Sequence, residues 1–494
     1  MPVVHRGGRT RLLTRGPADA GATGPAAPAG ETGAAQPSDP HPAAVRRDIA
    51  VPVLLLVYGT TVATSSVVRY RLWIVLVYAA LAAALAWYVA RPRPTPLDRP
   101  TAVVALGAVA VSHLTVRCYT YLQPGDARAV RLALAAAALL AAGILLAPLL
   151  PRPRLTGGLA ERGPDVALAI AVTAFVGAAV ALIHLDPRPK IDVWVTLQQA
   201  ADAIARGDNM YAARWTDSPG VQDAFTYLPL TALLLAPGRW LAGDVRWALV
   251  AVTVAAVLVV RALPGRDAPP PQRLAAAAVG ALVVLLPGTP TQVEQGWTEP
   301  LLLACIAGWA FGVHRGRPAV AVVCLALGVA SKQHLVLLLP LLAAWPGFGP
   351  RRTATAAGLA GLLVLPWFLA SPADMWHDTV TVLVNFQPLL FADTLYIAAI
   401  TEWGWTPPFW LTGAAVLAVL GAAVRGVRRP GVDLPAVLRW AALVLFVASL
   451  VNKQAFYNQY WLVAALVLVS WAVPPGAAAG LTARPEHRPE DAAA

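Results

Sequence analysis

The chain has 494 residues, of which 58% are hydrophobic and only 13% charged, with a formal net charge of +12. The charged share is about half that of an ordinary soluble domain, and the apolar residues fall in long blocks instead of at amphipathic spacing, which excludes a water-soluble globular core. Runs of roughly 20 apolar residues match a hydrocarbon layer of about 30 Å, in which helices satisfy their own backbone polar groups, so the class that remains is an all-α, polytopic transmembrane helical bundle.

In chain order, residues 1–47 are polar, rich in Ala, Pro, Gly and Arg and without periodicity, and read as a disordered tail; 476–494 read as a second one. Between the tails the apolar blocks predict about 14 spans. They lie near 49–67, 72–90, 101–117, 129–150, 165–185, 246–262, 273–287, 298–313, 318–330, 334–346, 354–371, 408–424, 435–451 and 459–474. The first four form an additional N-terminal four-helix module over 48–150, and 164–475 form the main module. Cys118, Cys305 and Cys324 are scattered, so neither a disulfide framework nor a zinc site is expected.

Orientation follows from the arginines, because cytoplasmic loops carry excess Lys and Arg. The N-terminal tail, Arg91/Arg93/Arg99, Arg152/Arg154/Arg162, Arg261/Arg266/Arg273, Arg315/Arg317, Arg351/Arg352, Arg425/Arg428/Arg429 and the C-terminal tail all fall on one side, which makes both termini cytoplasmic. The positive charge is then topology, with no nucleic-acid partner implied. Two segments must be read against hydropathy for this to hold. Residues 228–243, interrupted by Pro229 and Pro237, become an interfacial or re-entrant helix, and 318–346 become two short crossings with a tip at Ser331–His334.

The unusual polar residues then share the outer face. Of 38 basic residues only Lys190, Lys332 and Lys453 are lysines, and all three fall there, against the charge bias. A cation so placed usually has an anionic partner, and a lipid phosphate is an obvious one. In the first large outer loop, Val193, Leu197, Ala200 and Ile204 recur at helical spacing and Gly207 suits a left-handed cap, predicting a juxtamembrane helix that starts at Asp192. A carboxylate at a helix N-terminus is favoured by the macrodipole, so capping and catalysis both account for Asp192.

An outer Asp after a span, a juxtamembrane helix, a Gly207-Asp208-Asn209-Met210-Tyr211 turn and a Phe225-Thr226-Tyr227-Leu228-Pro229 segment resemble the GT-C superfamily of polyprenyl-phosphate-sugar-dependent glycosyltransferases. The nearest likeness is to glycosyltransferase family 87, the mannosyltransferase-like proteins of actinobacteria, with Glu294-Gln295-Gly296, Ser331-Lys332-Gln333 and Asn452-Lys453-Gln454 as further matching pieces. Four spans precede the position of that family's first one. The resemblance implies a GT-C-like fold with extracytoplasmic juxtamembrane helices in a bacterial plasma membrane. It implies transfer of mannose or another hexose or pentose from a polyprenyl-phosphate donor to a cell-envelope glycan or glycolipid, with inversion. Asp192 would be the general base, and Lys332, Lys453, Lys190 and Arg206 would hold the donor phosphate. Tyr227, Glu294, Gln295, Gln333, Asn385, Gln454 and Asn458 would bind sugar or acceptor, with His377 a possible second acid/base group. No cofactor is implied, and no ligand spacing compels a metal. The competing readings are a lipid-linked-sugar transporter or flippase, marked by mid-span charges or interrupted helices, and a non-catalytic accessory subunit.

Overall fold

The computed structural model describes residues 42–65, 69–90, 97–117, 120–150 and 157–474, so most of the two predicted tails lies outside the described residues. The fold is helical, with no strand among the described residues. In order come α1 (Pro42–Thr64), α2 (Leu72–Ala90), α3 (Arg99–Thr115), α4 (Pro124–Leu146), α5 (Gly157–Leu185), α6 (Asp192–Arg206), α7 (Pro229–Ala242), α8 (Arg246–Ala262), α9 (Pro270–Leu285) and α10 (Thr289–Glu294). They are followed by α11 (Glu299–His314), α12 (Pro318–Val329), a 3-10 turn at Gln333–Leu338 leading into α13 (Leu339–Ala344), α14 (Gly349–Ala370), α15 (Pro372–Trp376), α16 (Val382–Asn385), α17 (Leu395–Trp403), α18 (Phe409–Val427), α19 (Leu434–Leu450) and α20 (Tyr457–Ala472).

Each of the predicted spans overlaps one of these helices. By length and composition, however, five helices among the described residues are apolar and long enough to cross a membrane: Leu72–Ala90, Pro124–Leu149, Ala160–Leu185, Gly349–Ala370 and Phe409–Val427. A sixth counts if α7 and α8 are one bent span. Other apolar segments are shorter, such as Pro318–Val329 and Glu299–His314, because proline opens them and polar turns close them early. The long helices carry bare apolar side chains on their flanks, with Leu362, Leu369 and Leu417 each more than 60% exposed, a surface suited to lipid.

Contacts between helices fix their relative direction. Cβ atoms added at Gly308, Gly312 and Gly328 would meet Cys324, Ala321 and Cys305, so α11 and α12 run antiparallel. Lys332 touches Glu299 at the start of α11, whereas Trp345 and Phe348 pack on Trp309 further along it, with ring centroids 6.2 and 5.9 Å apart. Residues 333–344 therefore turn back beside α11, as the predicted tip at 331–334 requires. The 117° bend between α7 and α8 likewise sets α7 across the direction of α8, in keeping with an interfacial helix.

One continuous core runs from Val51 to Val473, so the boundary near residue 150 marks no break in packing. The aromatic rings of Tyr58, Tyr78, Phe446 and Tyr460 bring together α1, α2, α19 and α20, with Tyr78 and Tyr460 stacked at 4.0 Å. The Tyr58 hydroxyl also donates to the Tyr460 carbonyl.

The bundle has two polar ends. At one, Arg99 donates to the Ala160 carbonyl, Arg261 pairs with Asp165, Arg315 lies against Gly265 and Arg439 donates to Tyr88. The other end carries the predicted site loops, but it is not free of arginine: Arg69, Arg71, Arg117, Arg128, Arg131, Arg188, Arg214 and Arg246 lie in its loops and the early turns of its helices, and Arg206 and Arg239 in the last turns of α6 and α7. The three lysines are thus not alone in falling at this end. Arg206, Arg239 and Arg246 are paired with Asp208, Asp202 and Asp244, which offsets their charge within the chain.

Candidate functional site

Helix α6 begins at Asp192 and ends at Gly207, whose φ of 79° gives the left-handed cap that its sequence predicts. Leu197 and Ala200 are fully buried on its inner face, against α7. The Asp192 carboxylate accepts from the backbone N–H groups of Val193 at 2.9 Å and Val221 at 3.5 Å. Gly220 passes so close that a Cβ there would stand 2.4 Å from Oδ2. Among the described residues Asp192 is thus held by backbone groups.

Two residues on, Trp194 anchors this first turn. Its indole N–H lies 3.2 Å from both Asp244 oxygens, and Asp244 in turn takes three contacts from the fully buried Arg246 side chain. Gly296, at φ +68°, lets the next turn approach within van der Waals contact of Trp194. Arg246 Nη1 also donates to the Glu294 carbonyl at 3.3 Å. The start of α6 is therefore tied to α8 and to the turn between α10 and α11.

At the centre stands Tyr227. Burial raises its phenol well above the ordinary value, and the nearby carboxylates of Asp192 and Glu299 raise it further. The Lys332 ammonium lies 5.3 Å from the Tyr227 ring centroid, 2.6 Å from Glu299 Oε1 and 3.1 Å from Thr298 Oγ1. The Asn458 amide sits beside Glu299 at the start of α20. Gln333 Nε2 donates to the carbonyls of Thr226 at 2.9 Å and Thr379 at 3.3 Å, tying the 331–334 tip to the Tyr227 segment. Leu228 and Leu230 donate to Ser331 and Ala330 across the same joint.

Five predicted residues, Asp192, Tyr227, Lys332, Gln333 and Asn458, thus converge. Others do not. Arg206 is about 21 Å along α6 from Asp192 at 1.5 Å per residue, and it pairs with Asp208 at the exposed end. Lys190 is exposed, and its carbonyl accepts from the Tyr121 hydroxyl at 3.0 Å. Lys453 donates to the Val384 carbonyl at 2.6 Å, so the 452–454 turn packs on the stretch that holds the exposed Asn385, with Gln454 half-buried beside it. His377 is half exposed and bonds Asp378, whose other oxygen accepts from the Phe225 N–H at 2.7 Å. That places His377 next to the segment leading to Tyr227, held by Asp378.

Glu299 is the residue that sequence reasoning missed. It opens an apolar run, where an acid reads as a helix-start residue, and its partner lies 33 positions away. The anion that Lys332 needs is supplied at least in part by the chain itself. Lysine has three N–H donors; Glu299 and Thr298 take two, leaving one.

The turn from Gln292 to Gln295 is fully buried, yet among the described residues neither glutamine amide has a hydrogen-bond partner. Each such atom costs about 1–3 kcal/mol if left dry. Glu294 Oε1 accepts from the Tyr121 N–H at 2.6 Å, but burial outweighs that bond and pushes the carboxyl up to about 8.

The unfolded chain releases the Glu294 proton near 4.5, so between there and about 8 the native state holds a proton that the unfolded chain has lost. Stability from this group is full below the lower value and declines as pH rises through the upper one. Asp393, pushed up to about 7 by burial, acts with the same sign. The melting temperature is expected to fall between about pH 5 and pH 8, and Glu294→Gln to flatten the upper part of that fall. A Glu294→Gln profile parallel to that of the unsubstituted protein would contradict a protonated Glu294.

No protein-family model matches the chain, and no curated protein or solved structure matches it either.

Proposed function

We propose that the chain is an integral membrane glycosyltransferase of the GT-C type, moving a sugar from a polyprenyl-phosphate donor to a cell-envelope glycan or glycolipid. In this reading it crosses a bacterial plasma membrane about 14 times, counting the short helices as crossings, with both termini cytoplasmic and the Asp192 end extracytoplasmic. The observation that carries the reading is the gathering of Asp192, Lys332, Gln333 and Asn458 around Tyr227, from three distant parts of the chain, all but Asn458 on pieces that bear the family resemblance.

The chemistry follows from the groups present. The acceptor oxygen attacks the anomeric carbon, its proton passes to the Asp192 carboxylate, and the bond from that carbon to the phosphate oxygen breaks with its electron pair going to the phosphate. The remaining Lys332 N–H meets the charge that develops there, while Glu299 and Thr298 hold the ammonium in place. Direct displacement inverts the anomeric centre. Lys332 is the one proposed phosphate cation at Tyr227; Lys190, Lys453 and Arg206 act elsewhere.

A specific observation favours a second reading. A fully buried carboxylate paired with lysine beside a broken helix, together with the 117° bend between α7 and α8, is also how transporters build midplane sites. Incubating membranes that contain the chain with labelled polyprenyl-phosphate sugars separates the two. Transfer predicts a new glycosylated product; a flippase moves the donor between leaflets and leaves it chemically unchanged.

A further inference from the structure

Helices α3 and α4 belong to the added N-terminal module, and none of their residues lies on the pieces that bear the family resemblance. The loop 116–123 joins them at the Asp192 end. Arg131 of α4 donates to the carbonyls of His113 at 3.2 Å and Val116 at 2.9 Å, which holds the end of α3 beside the start of α4. Each helix leaves an apolar stripe uncovered. On α3 it runs through Val104, Val111 and Leu114, and on α4 through Leu132, Leu139 and Leu146, at spacings of three or seven and each more than 40% exposed.

Both stripes end at an exposed arginine. Arg128 precedes Leu132 by four positions on the same face of α4, and Arg117 follows Leu114 just past the end of α3. Neither guanidinium has an ion-pair or hydrogen-bond partner among the described residues. Asp126, two positions from Arg128, lies on another face of α4, and Asp186 and Glu294 interact with the buried Arg246 inside the bundle. The span Pro124–Leu149 is about 39 Å long at 1.5 Å per residue. A hydrocarbon layer of about 30 Å therefore puts Arg128 at its edge, where a long side chain reaches the lipid phosphates. Two unpaired cations above an apolar, lipid-facing surface complement an anion that carries acyl chains.

We propose that Arg117 and Arg128, with the exposed stripes of α3 and α4, bind an anionic phospholipid of the leaflet at the Asp192 end, its phosphate at the two guanidiniums and its acyl chains along the helices. Such binding gives the added module a role of its own in lipid contact, whether or not the chain transfers sugar.

The test is photocrosslinking of the full chain in phosphatidylcholine vesicles that contain a trace of diazirine-acyl phosphatidylglycerol or of phosphatidylcholine with the same acyl chain. Peptides that carry the lipid are mapped by mass spectrometry. The anionic probe is expected to label α3 and α4 peptides about tenfold more than the zwitterionic one, and Arg117→Gln with Arg128→Gln to remove that preference. Both side chains are exposed and unpartnered, so the melting temperature in detergent is expected to stay the same. Arg206→Gln with Arg214→Gln takes equal charge from the same end and is expected to leave the preference intact. Equal labelling by the two probes overturns the proposal, as does a preference that survives loss of Arg117 and Arg128. A preference lost equally in both pairs of variants is a general effect of charge and also overturns it. Excess glycerol 3-phosphate is expected not to compete; full competition would make this a site for a free anion and defeat the lipid assignment. Absence of any lipid on α3 and α4 peptides, the result of a second copy covering that face, defeats it as well.

Discussion

Lys332→Met is expected to destabilise the folded chain by about 3–5 kcal/mol, because it strands a buried carboxylate. Glu299 is fully buried, and Lys332 Nζ at 2.6 Å is its only ionic partner among the described residues. The cost arises from the group left behind, so replacing both members together removes most of it. Glu299→Gln combined with Lys332→Met is expected to recover all but about 1 kcal/mol, since a neutral amide and a thioether of similar size need no counter-charge. Denaturant unfolding of the purified protein in detergent, run as a double-mutant cycle, measures this. A double variant as unstable as the sum of the singles would show that the pair is not energetically coupled. The pair also limits function: Lys332→Arg retains a cation but places a planar fork where a compact ammonium bridges Glu299 and Thr298, so it keeps only part of the donor affinity.

Asp192→Asn is expected to lower sugar transfer by about 10²- to 10⁴-fold while leaving folding unchanged within ~0.5 kcal/mol. Among the described residues the carboxylate accepts from the Val193 N–H on Oδ1 at 2.9 Å and from the Val221 N–H on Oδ2 at 3.5 Å, and an amide oxygen keeps the shorter bond while giving up only the long one. The turn therefore survives, but an amide cannot take the acceptor's proton. Initial rates of transfer from a labelled polyprenyl-phosphate hexose in membranes, set beside melting of the same preparations, separate the two effects. Unchanged transfer would remove Asp192 from the base role; equal losses of transfer and stability would make it a structural residue.

Much of the framework is legible in the sequence because it rests on local signals. Apolar blocks mark the helices, Pro229 and Pro237 mark the segment that turns aside from α8, and Gly207 marks the end of α6. The tip at 331–334 is legible because a single helix through 318–346 would reverse every later arginine. Long-range pairing is not legible in the same way. The bond between Glu299 and Lys332 depends on where α12 returns beside α11, a matter of packing between helices. Arg206, near Asp192 in sequence, stands about 21 Å from it once the residues between them are helical. The arginine loops that obey the charge bias are legible in the sequence, whereas Arg239 and Arg246 lie at the Asp192 end, paired with aspartates that a tally of cations does not reveal. The orphaned amides of Gln292 and Gln295 emerge only once the burial of their turn is known.

In the proposed orientation the Asp192 end of the bundle, including the 452–454 turn, faces the outside of the cell, opposite the Arg315 end. Single cysteines at the exposed positions Gln222, Asn452 and Arg317, in a chain otherwise lacking cysteine, report this through a maleimide that cannot cross the membrane. Intact cells are expected to label positions 222 and 452, and to label 317 only after permeabilisation. Labelling of 222 and 452 from opposite sides, or of both only in permeabilised cells, would contradict a shared pocket on the outer face.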